Sequence, residues 1–189
     1  MSEADHSLRS KILIAMPMLF DPNFCKTITL ICEHSAEHGA MGIVLNQPTS
    51  ISISELIQLD EYMVNKEALS SLHIYAGGPV DTQHGFILHD CPRQRASSIQ
   101  VADSLFLTTS TDILEEIAFG QGPENKIIAL GYAGWSAGQL EAEILANSWL
   151  TTDYNFELVF QTPTEMQWFE AGRQLGIDLN LLNSQPGHA

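Results

Sequence analysis

A mixed α/β fold, one sheet with helices packed around it, is what this 189-residue chain predicts. Three observations carry the prediction. Short apolar segments with strand patterning, about eight of them, alternate along the chain with about four helix signatures. One of these segments, "NKIIALGY" (125–132), is apolar on both faces, with Ile127 and Ala129 on one side and Ile128 and Leu130 on the other. Such a strand belongs in the middle of a covered sheet. Finally, 44% hydrophobic residues and a mean hydropathy of +0.01 are values of a chain that buries a core. No internal repeat or low-complexity linker divides it, so one globular unit is expected over 11–182, with residues 1–10 and the tail 183–189 expected to be mobile.

The elements follow in order. "KILIAM" (11–16) and "TITLICEH" (27–34) read as strands around a loop marked by Pro17 and Pro22. "GIVLNQP" (42–48) is a third strand, and Pro48 biases Gln47 to an extended backbone. "ISISELIQL" (51–59) fits a short helix, with Ser52 capping and Glu55 three residues on. "LHIYAGGPV" is a strand broken by a Gly-Gly-Pro turn, and "GFILHD" (85–90) is a strand apolar on both faces. "SIQVADSLFLTTS" suggests a hairpin turning at Ala102–Ser104. "STDILEEIAFGQGP" has a hydroxyl start and Gly120 and Pro123 as helix stops. "NFELVFQ" (155–161) alternates Phe156, Leu158 and Phe160 with polar neighbours and reads as a strand. In "TPTEMQWFEAGRQLG" Thr162 is the expected N-cap, Pro163 the first helical residue, Glu165 completes the box and Gly176 ends the helix.

Charge narrows the partners. Eight Lys and Arg face 23 Asp and Glu, a formal charge of −15, and only Arg93 and Arg95 lie close together. Nucleic-acid binding draws on basic side chains that displace counterions from phosphates, and an anionic membrane surface makes the same demand. Direct DNA binding and membrane association are therefore not expected. No apolar run approaches the ~18 residues of a membrane span, and the first residues lack the pattern of a signal peptide, so a cytoplasmic location is the expectation. Cys25, Cys32 and Cys91 are odd in number and widely spaced, which argues for reduced, mostly structural thiols.

The stretch "GYAGWSAGQLEAEI" (131–144) holds the most suggestive chemistry. It has no P-loop lysine, but "GWSAG" satisfies the nucleophile-elbow pattern G-x-S-x-G around Ser136. A serine hydrolase of that type places its histidine later in the chain, and the only histidine after Ser136 is His188. Ser136 with Gln139 also makes a capping box, so Ser136 reads as a cap and not as a nucleophile. In the helix that follows, Ala137, Leu140, Ile144 and Ser148 share a face, Glu141 and Asn147 flank it, and Gln139 and Glu143 point elsewhere. A carboxylate bordering a buried stripe must be paired or wet: it bonds a neighbouring loop or serves a ligand. In "CEHSAEHG", Cys32 reads as core and His38 as a turn residue, so His34, His38, Glu33 and Glu37 lack metalloprotease geometry and no metal is expected. His84 and His89 bracket a strand as exposed candidates with no evident partner.

Several stretches together, "LIAMPMLFDPNF", "ICEHSAEHGAMGIVLNQP", "YAGGPVDTQHGFILH", "TTSTDILEEIA" and "ALGYAGWSAGQLEAEILANSWL", resemble the bacterial YqgE/AlgH family in the family's order and over nearly the whole chain. The resemblance implies an α/β (α+β) fold with a mixed, largely antiparallel sheet partly curled into a barrel and helices around it. It implies no known reaction; one branch carries a regulatory name, from a proposed role in transcription of exopolysaccharide genes. Positions matching the family pattern include Glu33, His34, Asn46, Gly78, Trp135, Glu141 and Asn147, and these are the ligand-binding candidates. His84 departs from it, since relatives commonly place arginine before "GF". Two functions stay open: a cytosolic regulator without catalysis that binds a small molecule or a protein, and an enzyme acting in a crevice lined by Glu33, His34, Trp135 and Glu141. The absence of a nucleophile–base–orienter set favours the first, with no catalytic residues and no cofactor. "GYAGW" is expected to be a tight connection from a central strand to a helix, with Trp135 as one wall of a hollow for a neutral or cationic ligand or a peptide segment.

Overall fold

The computed structural model describes residues 7–56, 72–92 and 97–183. Its strands are β1 (Lys11–Ala15), β2 (Ile28–Ser35), β3 (Gly39–Val44), β4 (Ile74–Ala76), β5 (Val80–His89), β6 (Ser98–Ala102), β7 (Leu105–Thr108), β8 (Lys126–Trp135) and β9 (Trp149–Asp153). The α-helices among the described residues are α1 (Ile53–Leu56), α2 (Thr111–Ala118), α3 (Gln139–Leu145) and α4 (Gln167–Gln174). The expected second half of the 51–59 helix, the Arg93–Arg95 pair, residues 1–6 and the tail after Asn183 lie outside the described residues.

The strands form one sheet in the order β6-β7-β5-β8-β3-β2-β1-β9, antiparallel at every step, with β4 joining β8 in parallel; the sheet curls into a half-barrel. Alternation along the strands divides the core. Ile12, Ile14, Leu30, Ile127 and Ala129 point inward, where Leu158, Trp168 and Ala171 close the concave side. Leu13, Ala15, Ile31 and Ala133 point outward to Leu140 of α3, while Ile87, Ile128 and Leu130 meet Ile113, Leu114 and Ile117 of α2. Strand β8 is buried on both faces, as its sequence predicts, and it is the joint of the sheet: it pairs with β5 and β4 in its first half and with β3 at Ala133–Trp135.

That joint explains the glycines. Gly131 has φ 72°, and four residues of β5, Asp81–His84, lie opposite it in the ladder. A Cβ on Gly131 would sit 2.6 Å from the Gly78 carbonyl oxygen; one on Gly78, itself at φ 152°, would sit 2.1 Å from the Tyr132 carbonyl carbon. Backbone packs on backbone here, with no room for a side chain. The Gly-Gly-Pro turn between β4 and β5, expected as a turn, is thus also a site of close backbone packing. "GYAGW", by contrast, is not a connection to a helix: all five residues belong to β8, and α3 starts only after a turn at Ser136–Gly138.

Other expectations need correction. Residues 155–161 form no strand; Glu157–Gln161 is a π-helix, with Leu158 and Val159 buried side by side. The Asn155 side chain accepts from the Leu158 N–H at 2.9 Å, and the buried Gln167 amide donates to the Leu158 and Val159 carbonyls at 3.0 and 3.1 Å, so this wide turn finds its partners locally. The ninth strand is β9 instead, in residues for which the sequence pattern suggests no element; Asn147 at φ 59° stops α3, and Trp149–Asp153 pairs with β1 along its length. Thr162 caps no helix: its hydroxyl donates to the Glu157 carbonyl, and a 3₁₀ turn (Thr164–Met166) precedes α4. Ser136 makes only half of its box: its backbone N–H donates to the Gln139 side chain at 3.0 Å, and the N-cap of α3 is Gly138, at φ 75°. His89 is fully buried, stacked on Phe106 and bonded to Thr108 at 2.7 Å, and not exposed; His84 is exposed and finds a partner in Asp81 at 2.6 Å.

Candidate functional site

A cleft of about 740 Å³ opens where β2, β3 and β8 meet. Its making starts in β2. The ladder with β3 shifts between Ile31 and Glu33, so Cys32 is an extra residue and the strand is bulged. Bulges re-aim side chains at sheet rims. Here Cys32 turns into the concave core while Glu33 and His34 line the cleft, with Met41, Tyr132, Trp135 and Ser136 around them. Arg9 and His38 complete its rim.

His34 is the best-defined group. Its side chain is 5% exposed, and both ring nitrogens are used. Nδ1 accepts from the Leu8 backbone N–H at 3.1 Å, and Nε2 lies 2.8 Å from a Glu141 carboxylate oxygen. An Nδ1 that accepts carries no proton, so the neutral ring is the Nε2–H tautomer and donates to Glu141. The carboxyl of Glu141 is held below the usual carboxylate range, first by its own backbone N–H and, against an upward push from partial burial, by the His34 ring.

This arrangement bears on the G-x-S-x-G match. A histidine base needs one nitrogen for its acid and a free lone pair for the serine. In this ring the one lone pair, on Nδ1, accepts from the Leu8 backbone N–H. Ser136 lines the cleft and is exposed, but His34 as bonded here cannot activate it. The histidines of the β2–β3 turn do not gather a metal either: His38 bonds to Ser35, and among the described residues no group of three His, Cys, Asp or Glu is placed to hold an ion.

Sequence reasoning misses Glu143. Expected to point elsewhere, it reaches under the cleft wall, where one carboxylate oxygen accepts from both the Trp135 and Trp149 indole N–H groups, at 3.0 and 2.8 Å. The other oxygen accepts from Gln139 at 2.9 Å. The two indoles meet edge to face at 6.1 Å, with Phe24 against both. The available signal was a carboxylate lying between two tryptophans in sequence; what it lacked was the turn that brings Trp149 back. Of the ligand candidates, Glu33, His34 and Trp135 line the cleft, and Glu141 reaches it through His34. The other three lie elsewhere. Asn46 accepts from the Ile28 N–H at 2.9 Å and donates to the Lys26 carbonyl at 3.0 Å, closing the end of the β1–β2 loop. Gly78 packs against Tyr132, and Asn147 is the left-handed residue that ends α3.

Fold and cleft together define an α/β half-barrel protein with a polar crevice at a bulged strand end. The chain belongs to the AlgH-like family, whose model matches residues 12–180. It is 44% identical over 188 residues to a UPF0301 protein of Alcanivorax borkumensis, covering 100% of both chains, and 44% identical over 187 residues to one of Methylococcus capsulatus, covering 99% of this chain and 98% of that one. The solution structure of the AlgH protein from Pseudomonas aeruginosa is similar over 100% of both chains, with a TM-score of 0.78 at 40% identity. A crystal structure of a Corynebacterium diphtheriae protein shares the fold at a TM-score of 0.71 and 22% identity, over 93% of this chain and 91% of that one.

Proposed function

We propose that this protein is a non-catalytic binding protein of the bacterial cytosol, whose cleft takes a neutral or cationic small molecule or a peptide segment. The observation that carries the reading is the His34–Glu141 pair beside the Trp135 wall, in a cleft that also presents Glu33. An aromatic wall and a few fixed polar groups are what a ligand pocket supplies, and 740 Å³ is ample for a metabolite. Glu33 in the cleft lining, with Glu141 behind the His34 ring, favours a donor-bearing or cationic ligand over a phosphate. Arg9, at the rim, gives one guanidinium N–H to the Gln100 carbonyl.

The regulatory role implied by the family resemblance then runs through that ligand or a partner protein. A formal charge of −15 opposes direct contact with duplex DNA. Gel retardation by the purified protein at physiological salt is expected to show no sequence-dependent shift; one in the nanomolar range would overturn this part. A thermal-shift screen of neutral and cationic metabolites is expected to find a stabilising ligand, because whatever binds the native state raises its stability. Loss of that shift in Glu141→Gln supports the cleft as its site, and an undiminished shift places the ligand elsewhere.

A further inference from the structure

We propose that residues 7–10 form a strap along the cleft, latched by the neutral His34 ring, and that protonation of His34 unlatches it. The inference rests on the cleft as the ligand site, whose access it regulates.

The strap has three attachments. The Ser10 N–H donates to the Ile31 carbonyl at 2.8 Å, which fixes its C-terminal end to β2. Leu8 packs against the outer core beside Leu13 and Trp135. Arg9 reaches across to the Gln100 carbonyl on β6, the far edge of the curled sheet, while lining the cleft. Between these, the Leu8 N–H donates to Nδ1 of His34 at 3.1 Å.

That last bond exists only while Nδ1 keeps its lone pair. A proton there turns the acceptor into a donor, and two N–H groups then face each other. The ring itself does not leave, because its Nε2–H stays on Glu141, and the imidazolium is held there more firmly by the carboxylate. Relief therefore falls on the Leu8 amide, whose residue stays held by its side-chain packing and by the Lys11 N–H on its carbonyl at 3.0 Å, and Arg9 moves with it. The charged and titratable groups that face the ring are Glu141 from α3, Glu33 beside it on β2 and Arg9 on the strap. His38 in the β2–β3 turn and Tyr132 on β8 also line the cleft. Acidification thus opens the cleft at the Arg9 side.

The test is a ¹⁵N-NMR titration of the full chain from about pH 8 to about pH 5, following the His34 ring nitrogens and the Leu8 and Arg9 amides. The proposal expects the Nε2–H tautomer at the start, Leu8 and Arg9 shifts with the midpoint of the His34 ring, and Leu8 amide exchange about tenfold faster at the acid end after intrinsic correction, as befits loss of one hydrogen bond. His34→Gln keeps an acceptor toward Leu8 and a donor toward Glu141 but does not titrate, so the strap response should vanish. In Glu141→Gln the strap and ring should still titrate together, wherever the ring then titrates. A Leu8 amide unmoved while the ring titrates, a ring that stays neutral throughout, or an unchanged response in His34→Gln overturns the latch. These readouts need no ligand. A failed ligand screen counts against the binding reading alone, and a fixed strap in a protein that binds its ligand counts against the latch alone.

Discussion

The concave and convex sides of the half-barrel are each closed by a helix and tryptophan, yet they treat ionisable groups in opposite ways. On the concave side Trp168 of α4 is 2% exposed and donates its indole N–H to a neutral partner, the Ala15 carbonyl, at 2.8 Å. Cys32 and Tyr154 face this side, and burial pushes both toward their neutral forms: the Cys32 thiol is raised, with Glu33 adding to the effect, and the Tyr154 phenol is pushed up to about 12 by burial and then by the Asp90 charge. On the convex side the indoles of Trp135 and Trp149 donate to a carboxylate, Glu143, and Glu141 two residues earlier is held in its charged form. The concave side is a core that excludes charge. The convex side stabilises charge, and the cleft opens there. A pocket that keeps a carboxylate ionised beside a fixed imidazole is equipped to hold a polar ligand; a core that drives charges out is not.

The sharpest way to break this contrast is Glu143→Ala. It leaves two largely buried indole N–H groups without their acceptor and should cost about 2–3 kcal/mol in chemical denaturation, with altered tryptophan emission. A loss under about 0.5 kcal/mol would show that Glu143 is incidental. Trp168→Phe removes one hydrogen bond to a neutral carbonyl and leaves a small void, so about 1–2 kcal/mol is expected by the same method.

Tyr154 probes the concave side by pH. Its folded pKa lies above its unfolded value of ~10, so its contribution to stability is whole below that value and is lost as pH rises through about 12. Absorbance of the phenolate should show Tyr154 as a late-titrating tyrosine, absent in Tyr154→Phe. Glu141 gives the opposite sign: its depressed pKa contributes stability above the ordinary carboxylate range, lost as pH falls through the folded value. Because the group is 43% exposed, Glu141→Gln should change neutral-pH stability by no more than about 0.5 kcal/mol, while flattening part of the acid limb. Smallest of all is Ser136→Ala. With Gly138 as the N-cap of α3, the loss of the hydroxyl should fall below about 0.5 kcal/mol rather than the ~1 kcal/mol of a true cap.

Much of the fold on both sides of the sheet is legible in the sequence, because it depends on local periodicity. The two apolar faces of β8, the helix at Thr111–Ala118 and the hairpin near Ser104 all follow from pattern and turn chemistry. The π-helix does not: Phe156, Leu158 and Phe160 alternate as a strand would, and the Asn155 and Gln167 side chains that hold the wide turn follow no periodic pattern. The convex site is harder still to read. Glu33, His34, Trp135 and Glu141 can be singled out, but their geometry comes from a bulge at Cys32 and from contacts across 107 and 26 residues, from His34 to Glu141 and to Leu8. No local pattern encodes those. Asn46, Gly78 and Asn147 serve loop closure, close backbone packing and helix termination in this fold.

The most direct measurement is an NMR titration of the full chain with a panel of neutral and cationic metabolites, watching the Trp135 indole N–H and the His34 ring together. The account predicts that a ligand which stabilises the protein moves both signals with one dissociation constant, weakened about tenfold in Glu141→Gln, in which a charge-assisted hydrogen bond is lost. Shifts confined to the concave side, or an affinity unchanged in Glu141→Gln, would contradict it.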